Sequence, residues 1–121
     1  MSRFASLVPE GFDVATALQQ LAGSEKLYLS IITKFAMMYK SLPDTIQADL
    51  ENGDFAKVQR DAHTIKGLAG TLGHNALRDV AAQLEHNATE GNAAECAQLL
   101  AVFREVFARV IDSLQKVLSA G

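Results

Sequence analysis

Apolar side chains recur every three or four positions from residue 13 to near the C-terminus, which is the spacing of residues along one face of an α-helix. No segment alternates apolar and polar residues as a half-buried strand would, and β-branched residues are sparse. The pattern therefore predicts an all-α fold, and the helix ends decide how many helices it contains.

Glycines and small polar residues mark the ends of the predicted helices. A glycine follows each of the first four apolar segments, as is common at helix ends. These glycines are Gly23, Gly53, Gly73 and Gly91. Side chains that can cap a helix start stand before four of the segments. They are Asp13, Ser24, Asp54 and Asn92. The ends divide the chain into five helices, of which the first is short.

The second predicted helix carries an apolar stripe that keeps its phase across a proline. Its members are Leu27, Ile31, Phe35, Met38, Leu42, Ile46 and Leu50. Because Pro43 lies within this stripe without shifting it, we expect a kinked but nearly continuous helix.

The connections between the amphipathic helices are short, and short loops place consecutive helices side by side in opposite directions. We therefore expect an antiparallel up-down four-helix bundle, with the short additional N-terminal helix capping one end. In this interpretation residues 1–10 are an N-terminal extension and residues 11–121 form the bundle domain. No long second apolar face remains for self-association, so we expect a monomer.

Composition argues against several functional classes. The formal net charge is −3, and the Lys and Arg residues are scattered rather than gathered in the basic stripe of a nucleic-acid-binding protein. No stretch approaches the roughly 18 apolar residues of a membrane span, and the N-terminus lacks the apolar core of a secretory signal. The single cysteine, Cys96, suits a reducing compartment. We expect a cytoplasmic protein, or a cytoplasmic piece of a larger one, that contacts neither nucleic acid nor membrane.

Gly67 and Gly70 differ from the other glycines because both fall inside the apolar pattern of the third helix. Each is expected to destabilise that helix by about 1 kcal/mol relative to alanine. A stable bundle would not normally accept two such losses side by side without a compensating advantage. We expect the advantage to be space around His63, which lies one turn before Gly67.

His63 is predicted to face solvent. At about 100° of rotation per residue, it lies about 130° from the centre of its helix's apolar stripe, near Ile65 and Ala69. Helical side chains lean towards the N-terminus, so a side chain at position 67 would lie against the imidazole. A lone exposed histidine is usually an ordinary surface residue, and the glycines on the same face are what favour a functional one.

The residues around His63 indicate phosphoryl chemistry. An imidazole exposed to water is largely uncharged at pH 7, and its unprotonated nitrogen is a competent nucleophile. The ammonium of Lys66, three residues on, can reach a negatively charged group attached to the ring. A nucleophile, a cation and room for a second protein are together typical of phosphoryl transfer between proteins.

The run His63-Thr64-Ile65-Lys66-Gly67, with Gly70 and Gly73 after it, resembles the motif of the histidine-containing phosphotransfer (HPt) domains of multistep phosphorelays. That family's pattern is histidine, any residue, a hydrophobic residue, lysine and glycine, followed by small residues and a further glycine. Three more segments are similar to the family, namely Gly11-Phe12-Asp13, Gly53-Asp54 and Leu84-Glu85. The resemblance extends from about Gly11 to Leu118, and Leu68 departs from it, since a small residue is more usual there.

The resemblance implies that His63 accepts a phosphoryl group from the aspartyl phosphate of one receiver domain and passes it to the aspartate of another. It implies that Lys66 steadies the phosphoryl charge and that Gly67 and Gly70 give access. The partners would be receiver domains of a hybrid sensor kinase and of a response regulator. These domains would bring the Mg²⁺, so that this chain needs no cofactor. The expected docking surface consists of Val14, Leu18, Thr64 and Leu68.

Three polar residues are expected near His63. Gln59 shares its stripe of the helix, and Gln83 and Glu85 are expected to approach from the neighbouring helix.

The remaining motifs argue against a metal site and against ATP chemistry. His74 and His86 are expected to be solvated, and no His-x-x-x-His or Glu-x-x-His pair occurs. No Walker or kinase phosphate loop is found, which indicates a phosphoryl carrier rather than an enzyme that uses ATP.

Two other functions stay open. A non-catalytic helical adaptor that binds receiver domains or other partners explains the helices but leaves Gly67 and Gly70 unexplained. A phosphatase acting on a receiver would release phosphate without forming a stable adduct. The initial methionine favours a free-standing protein over the tail of a hybrid kinase.

Overall fold

The computed structural model describes residues 3–120, and every regular element within them is a helix. A 3-10 helix at Ala5–Glu10 comes first. Six α-helices follow: α1 at Val14–Gln20, α2 at Glu25–Met38, α3 at Leu42–Glu51, α4 at Phe55–Leu72, α5 at Asn75–Thr89 and α6 at Ala93–Ala120. None of these helices is long and apolar enough to cross a bilayer. The all-α prediction is confirmed over the described residues.

The helices begin where the capping residues predict. The side chains of Asp13, Ser24, Asp54 and Asn92 each accept a hydrogen bond from the amide three residues further on. These bonds satisfy amides that have no partner within their own helix.

The predicted continuous helix across Pro43 is wrong. Three residues, 39–41, separate α2 from α3, and Pro43 stands in the first turn of α3, where its missing amide is not needed. In a continuous helix the carbonyl of Tyr39 would find no amide at position 43. It accepts instead from the amide of Leu42 at 3.0 Å.

The buried face of α2 also differs from the predicted stripe. Leu27 and Met38, both expected in the core, are 47% and 69% exposed. The buried face is formed by Tyr28, Ile32 and Phe35, roughly a quarter turn away. Helix α2 has apolar residues on more than one face, so spacing alone did not identify the buried one.

The helices pack around one core. Helix α4 packs against α1, α2, α3 and α5, and α6 packs against α2, α3, α5 and the 3-10 helix. The largest fully buried side chains include Tyr28, Phe4, Phe35, Phe103 and Phe107. The phenol of Tyr28 donates to the carbonyl of Leu72 at 2.7 Å, which joins the start of α2 to the end of α4.

Residues ahead of Gly11 take part in this packing. Phe4 and Leu7 are fully buried, and the Phe4 ring meets that of Tyr28 edge-on with centroids 4.9 Å apart. The division into an extension at 1–10 and a domain at 11–121 stays a prediction, but the structure places these two side chains in the common core.

The end of α4 is held against the N-terminal segment by backbone contacts. Gly73 has a φ of +85°, and a Cβ there would lie 2.6 Å from the carbonyl oxygen of Asp13. The Asp13 amide donates to the Gly73 carbonyl at 2.8 Å. Glycine is therefore required for this close approach, which positions the helix that carries His63.

Candidate functional site

His63 lies near the middle of α4, and its side chain is 65% exposed. Its neighbours Ala62 and Ile65 are fully buried, so the core face of the helix points away from the ring. The structure thus exposes the imidazole, as the helical phase predicts.

One nitrogen of the ring contacts a carboxylate from α5. His63 Nδ1 lies 2.7 Å from Glu85 Oε2. An ionised carboxylate only accepts hydrogen bonds, so Nδ1 carries the hydrogen and donates it. In the uncharged ring Nε2 then keeps its lone pair, and it is the nitrogen that can attack an electrophile.

Lys66 contacts the same carboxylate. Its Nζ donates to Glu85 Oε1 at 2.6 Å, so Glu85 bridges the lysine and the histidine. The hydrogen bond from Lys66 lowers the Glu85 pKa, burial opposes this effect, and the hydrogen bond from His63 lowers the pKa further. Glu85 is therefore ionised at neutral pH. The resemblance assigns Lys66 to the phosphoryl group, whereas in the structure its ammonium meets Glu85.

The two glycines inside α4 leave unequal space. A Cβ at Gly67 would have no atom within 4 Å, whereas one at Gly70 would lie 3.8 Å from Arg78 Cδ. Gly67 therefore opens the surface one turn beyond His63, while Gly70 lies beside a side chain of α5. A Cβ at position 67 would not touch the imidazole, so only a longer side chain can cover the ring.

Of the four predicted docking residues, Val14 does not offer its side chain. It is 8% exposed and belongs to the core, because α1 packs this face against α4 together with Ala17. Leu18 and Leu68 are half-buried against the core. Thr64 is half-buried, and its hydroxyl donates to the carbonyl of Arg60 at 3.1 Å.

The three predicted neighbours of the ring differ in their positions. Glu85 makes the hydrogen bond with His63 described above. Gln59 and Gln83 are exposed, and the Gln83 carbonyl accepts from the Asn87 side chain at 2.9 Å.

The expectation that His74 is solvated is wrong, while His86 is exposed as expected. His74 is 6% exposed, and its Nδ1 caps α5 by accepting the amide hydrogen of Leu77 at 3.1 Å. Burial lowers the pKa of His74, and a backbone hydrogen bond with Glu10 opposes the shift. Its place between a helix-ending glycine and the start of the next helix was the signal for a capping role. Within residues 3–120 no three His, Cys, Asp or Glu side chains form a group that could hold a metal ion.

The comparison with known proteins bears on the same helices. Residues 30–119 match the family model described as Hpt domain. The matched segment contains all of α4 and α5, and with them His63, Lys66 and Glu85. Neither the curated proteins nor the solved structures contain a match to this chain. The family model covers most of the chain and the whole of the histidine-bearing helix, and the chain therefore belongs to the Hpt domain family.

Proposed function

We propose that this chain accepts a phosphoryl group on His63 Nε2 from the aspartyl phosphate of one receiver domain and delivers it to the aspartate of another. Membership of the Hpt domain family implies a role in histidine phosphotransfer within phosphorelays, as a carrier module rather than a kinase. The observation that carries the proposal is the exposed ring whose Nδ1–H is held by Glu85, which leaves Nε2 free to act as the nucleophile.

The transfer is an exchange of bonds at phosphorus. The Nε2 lone pair forms the N–P bond while the P–O bond to the donor aspartate breaks and returns its electron pair to that carboxylate. Onward transfer reverses the exchange with a second aspartate. In this scheme the chain supplies the nucleophile, and the receiver domain brings the Mg²⁺ that offsets the phosphoryl charge.

Access to Nε2 depends on the surface around Gly67. The open space at this residue supports the approach of a receiver's active site to the ring. Leu18, Thr64 and Leu68, which are half-buried, are proposed as part of the docking surface. We expect the carrier to act as a monomer in the cytoplasm.

The packing supports an antiparallel four-helix bundle as the arrangement that presents this surface. Helices α2 and α3 both pack against α4 and α6 and would together form one of the four walls. The contact of Tyr28 with Leu72 pairs the start of α2 with the end of α4, as an antiparallel arrangement requires.

The proposal is tested with a receiver domain that carries ³²P on its aspartate, incubated with this chain and Mg²⁺. Label should appear on the chain in a form that is labile in acid and stable in alkali, as expected for phosphohistidine. His63→Ala should abolish the labelling. His86→Ala is the matched control, because it removes an exposed histidine of α5, and it should label normally.

The same experiment separates the alternatives. Labelling that persists in His63→Ala would reject His63 as the acceptor. Release of free phosphate without an adduct would indicate a phosphatase, and binding of the receiver with neither outcome would indicate an adaptor.

A further inference from the structure

We propose that His74 holds the N-terminal segment, residues 4–12, against the turn between α4 and α5 only while its imidazole is uncharged, so that mild acid weakens this junction and destabilises the fold. The inference goes beyond the proposed function and does not depend on it, because it concerns a buried histidine that phosphoryl transfer does not use.

His74 joins three parts of the chain. Its Nδ1 accepts the amide hydrogen of Leu77 at 3.1 Å and thereby caps α5. Its ring meets that of Phe12 edge-on with centroids 4.7 Å apart, and the backbones of the two residues form a single antiparallel bridge. The His74 amide donates to the carbonyl of Ala69 in the last turn of α4 at 2.9 Å. One residue therefore links α4, α5 and the N-terminal segment.

The cap determines which ring nitrogen carries the hydrogen. Nδ1 accepts from the Leu77 amide through its lone pair, so in the uncharged ring the hydrogen is on Nε2. Nε2 faces the end of the 3-10 helix, where it lies 3.4 Å from the position that a Cβ on Gly11 would take. A backbone hydrogen bond joins His74 to Glu10 in the same place. The uncharged ring therefore fits its surroundings at both nitrogens.

Protonation of the ring removes the acceptor on which the cap depends. A hydrogen on Nδ1 would point at the Leu77 amide and leave that amide without its partner in the first turn of α5. The positive charge would also stand at a helix N-terminus, where the helix dipole disfavours a cation. Burial of the charge adds to the cost. Burial accordingly lowers the pKa of His74, and the backbone hydrogen bond with Glu10 opposes this shift.

No ion pair offsets a charge on this ring. Among residues 3–120, no Asp or Glu carboxylate lies within ion-pair distance of His74. The N-terminal segment and α6 bring Glu10 and Arg109 to the cavity beside the ring. The Arg109 guanidinium donates to Glu105 at 3.1 Å, and a cation near the ring disfavours a second positive charge.

The other elements around the ring direct their charged groups elsewhere. The last turn of α4 and the whole of α1 carry no titratable side chain. Burial raises the pKa of Tyr28 on α2 to about 12, so its phenol stays uncharged. The Asp13 carboxylate accepts the amide hydrogen of Thr16, and Arg78 of α5 meets Asp79 at 3.5 Å.

The direct test follows the ring itself by NMR of the chain with ¹⁵N-labelled histidine. At about pH 7.5, above the ordinary pKa of histidine, His74 should carry its hydrogen on Nε2 and none on Nδ1. On acidification the ring should become protonated at a lower pH than the histidines of the urea-unfolded chain do. The amide resonance of Leu77 should shift with the same midpoint. A hydrogen on Nδ1 at about pH 7.5, or a midpoint equal to that of the unfolded chain, would overturn the inference.

Urea titration measures the consequence for the fold. The unfolded chain binds a proton at this histidine more readily than the folded chain, so stability should fall as the pH drops below about 6.5 and level off below the lower pKa of the folded ring. His74→Asn keeps a side-chain oxygen that can cap α5 but does not titrate. Between about pH 7.5 and about pH 5.5 the urea midpoint of wild type should therefore fall further than that of His74→Asn.

His86→Asn is the matched control, because it makes the same substitution at an exposed histidine of α5, and its urea midpoint should fall as far as that of wild type. Circular dichroism verifies that each variant is folded at the higher pH. A wild-type midpoint that falls no further than that of His74→Asn would show that His74 does not make the fold sensitive to acid. If His74→Asn does not fold, the titration of the ring in wild type decides the question alone.

Discussion

At the scale of single residues, Gly67 is where helix stability and access to the imidazole oppose each other. Gly67→Ala should raise the free energy of unfolding by about 1 kcal/mol and leave the transfer rate unchanged, because a Cβ there meets no atom within 4 Å. Gly67→Gln should also stabilise α4 but slow the transfer, since its long side chain leans towards His63. Urea titration and the initial rate of phosphoryl transfer measure the two effects.

Gly70→Ala is the matched control, because its Cβ would make only an ordinary contact with Arg78. It should raise stability without slowing transfer. Equal transfer rates in wild type and Gly67→Gln would mean that the space at position 67 has no part in access.

Side-chain exposure was predictable where a helix has a single apolar face. In α4 the helical periodicity correctly predicted that His63 is exposed, because Ile65 and Ala69 define a single buried face. Periodicity did not show that Val14 is buried, because a helix of 7 residues is too short for the spacing of apolar residues to distinguish a docking face from a face packed on the core. Helical phase does not apply to His74, which precedes α5; its Nδ1 caps that helix, and its ring packs edge-on against the ring of Phe12.

At the scale of the elements, helix ends were predictable from local chemistry and the break between α2 and α3 was not. Capping side chains and terminal glycines determine a helix end through hydrogen bonds and backbone conformations that involve only a few neighbouring residues. The apolar stripe across Pro43 keeps its phase whether or not the intervening residues form helical hydrogen bonds. Ile46 is therefore buried as expected although the chain leaves the helix at Tyr39.

The junction at the end of α4 yields a prediction at this scale. Gly73→Ala must accommodate both a positive φ and a Cβ 2.6 Å from the backbone of Asp13. Gly53→Ala and Gly91→Ala share the positive φ but would meet no atom within 4 Å. The two controls should lose about 1 kcal/mol of stability from backbone strain, and Gly73→Ala should lose clearly more, as measured by urea titration. Equal losses at all three positions would show that the contact with Asp13 relaxes freely.

At the scale of the whole molecule, the core extends further towards the N-terminus than periodicity indicates. Phe4 stands immediately before the 3-10 helix and Leu7 lies within it, and this segment has no α-helical repeat, so nothing in their spacing marks them as buried. Their burial depends on surfaces that exist only once α1, α2 and α6 have assembled. An isolated phenylalanine near a terminus carries no signal of this kind in sequence.

Phe4→Ala tests whether these residues stabilise the whole fold. The ring is fully buried against Tyr28, so its removal should lower the free energy of unfolding by about 3–5 kcal/mol. Val8→Ala, in the 3-10 helix that follows Phe4, removes part of a side chain that is 58% exposed, and it should change the free energy of unfolding by less than about 0.5 kcal/mol. Fluorescence and circular dichroism should report one coincident urea transition in each variant, because a shared core unfolds as a unit. If Phe4→Ala lowers the free energy of unfolding no more than Val8→Ala does, residues 3–10 do not contribute to the stability of a domain that begins at Gly11.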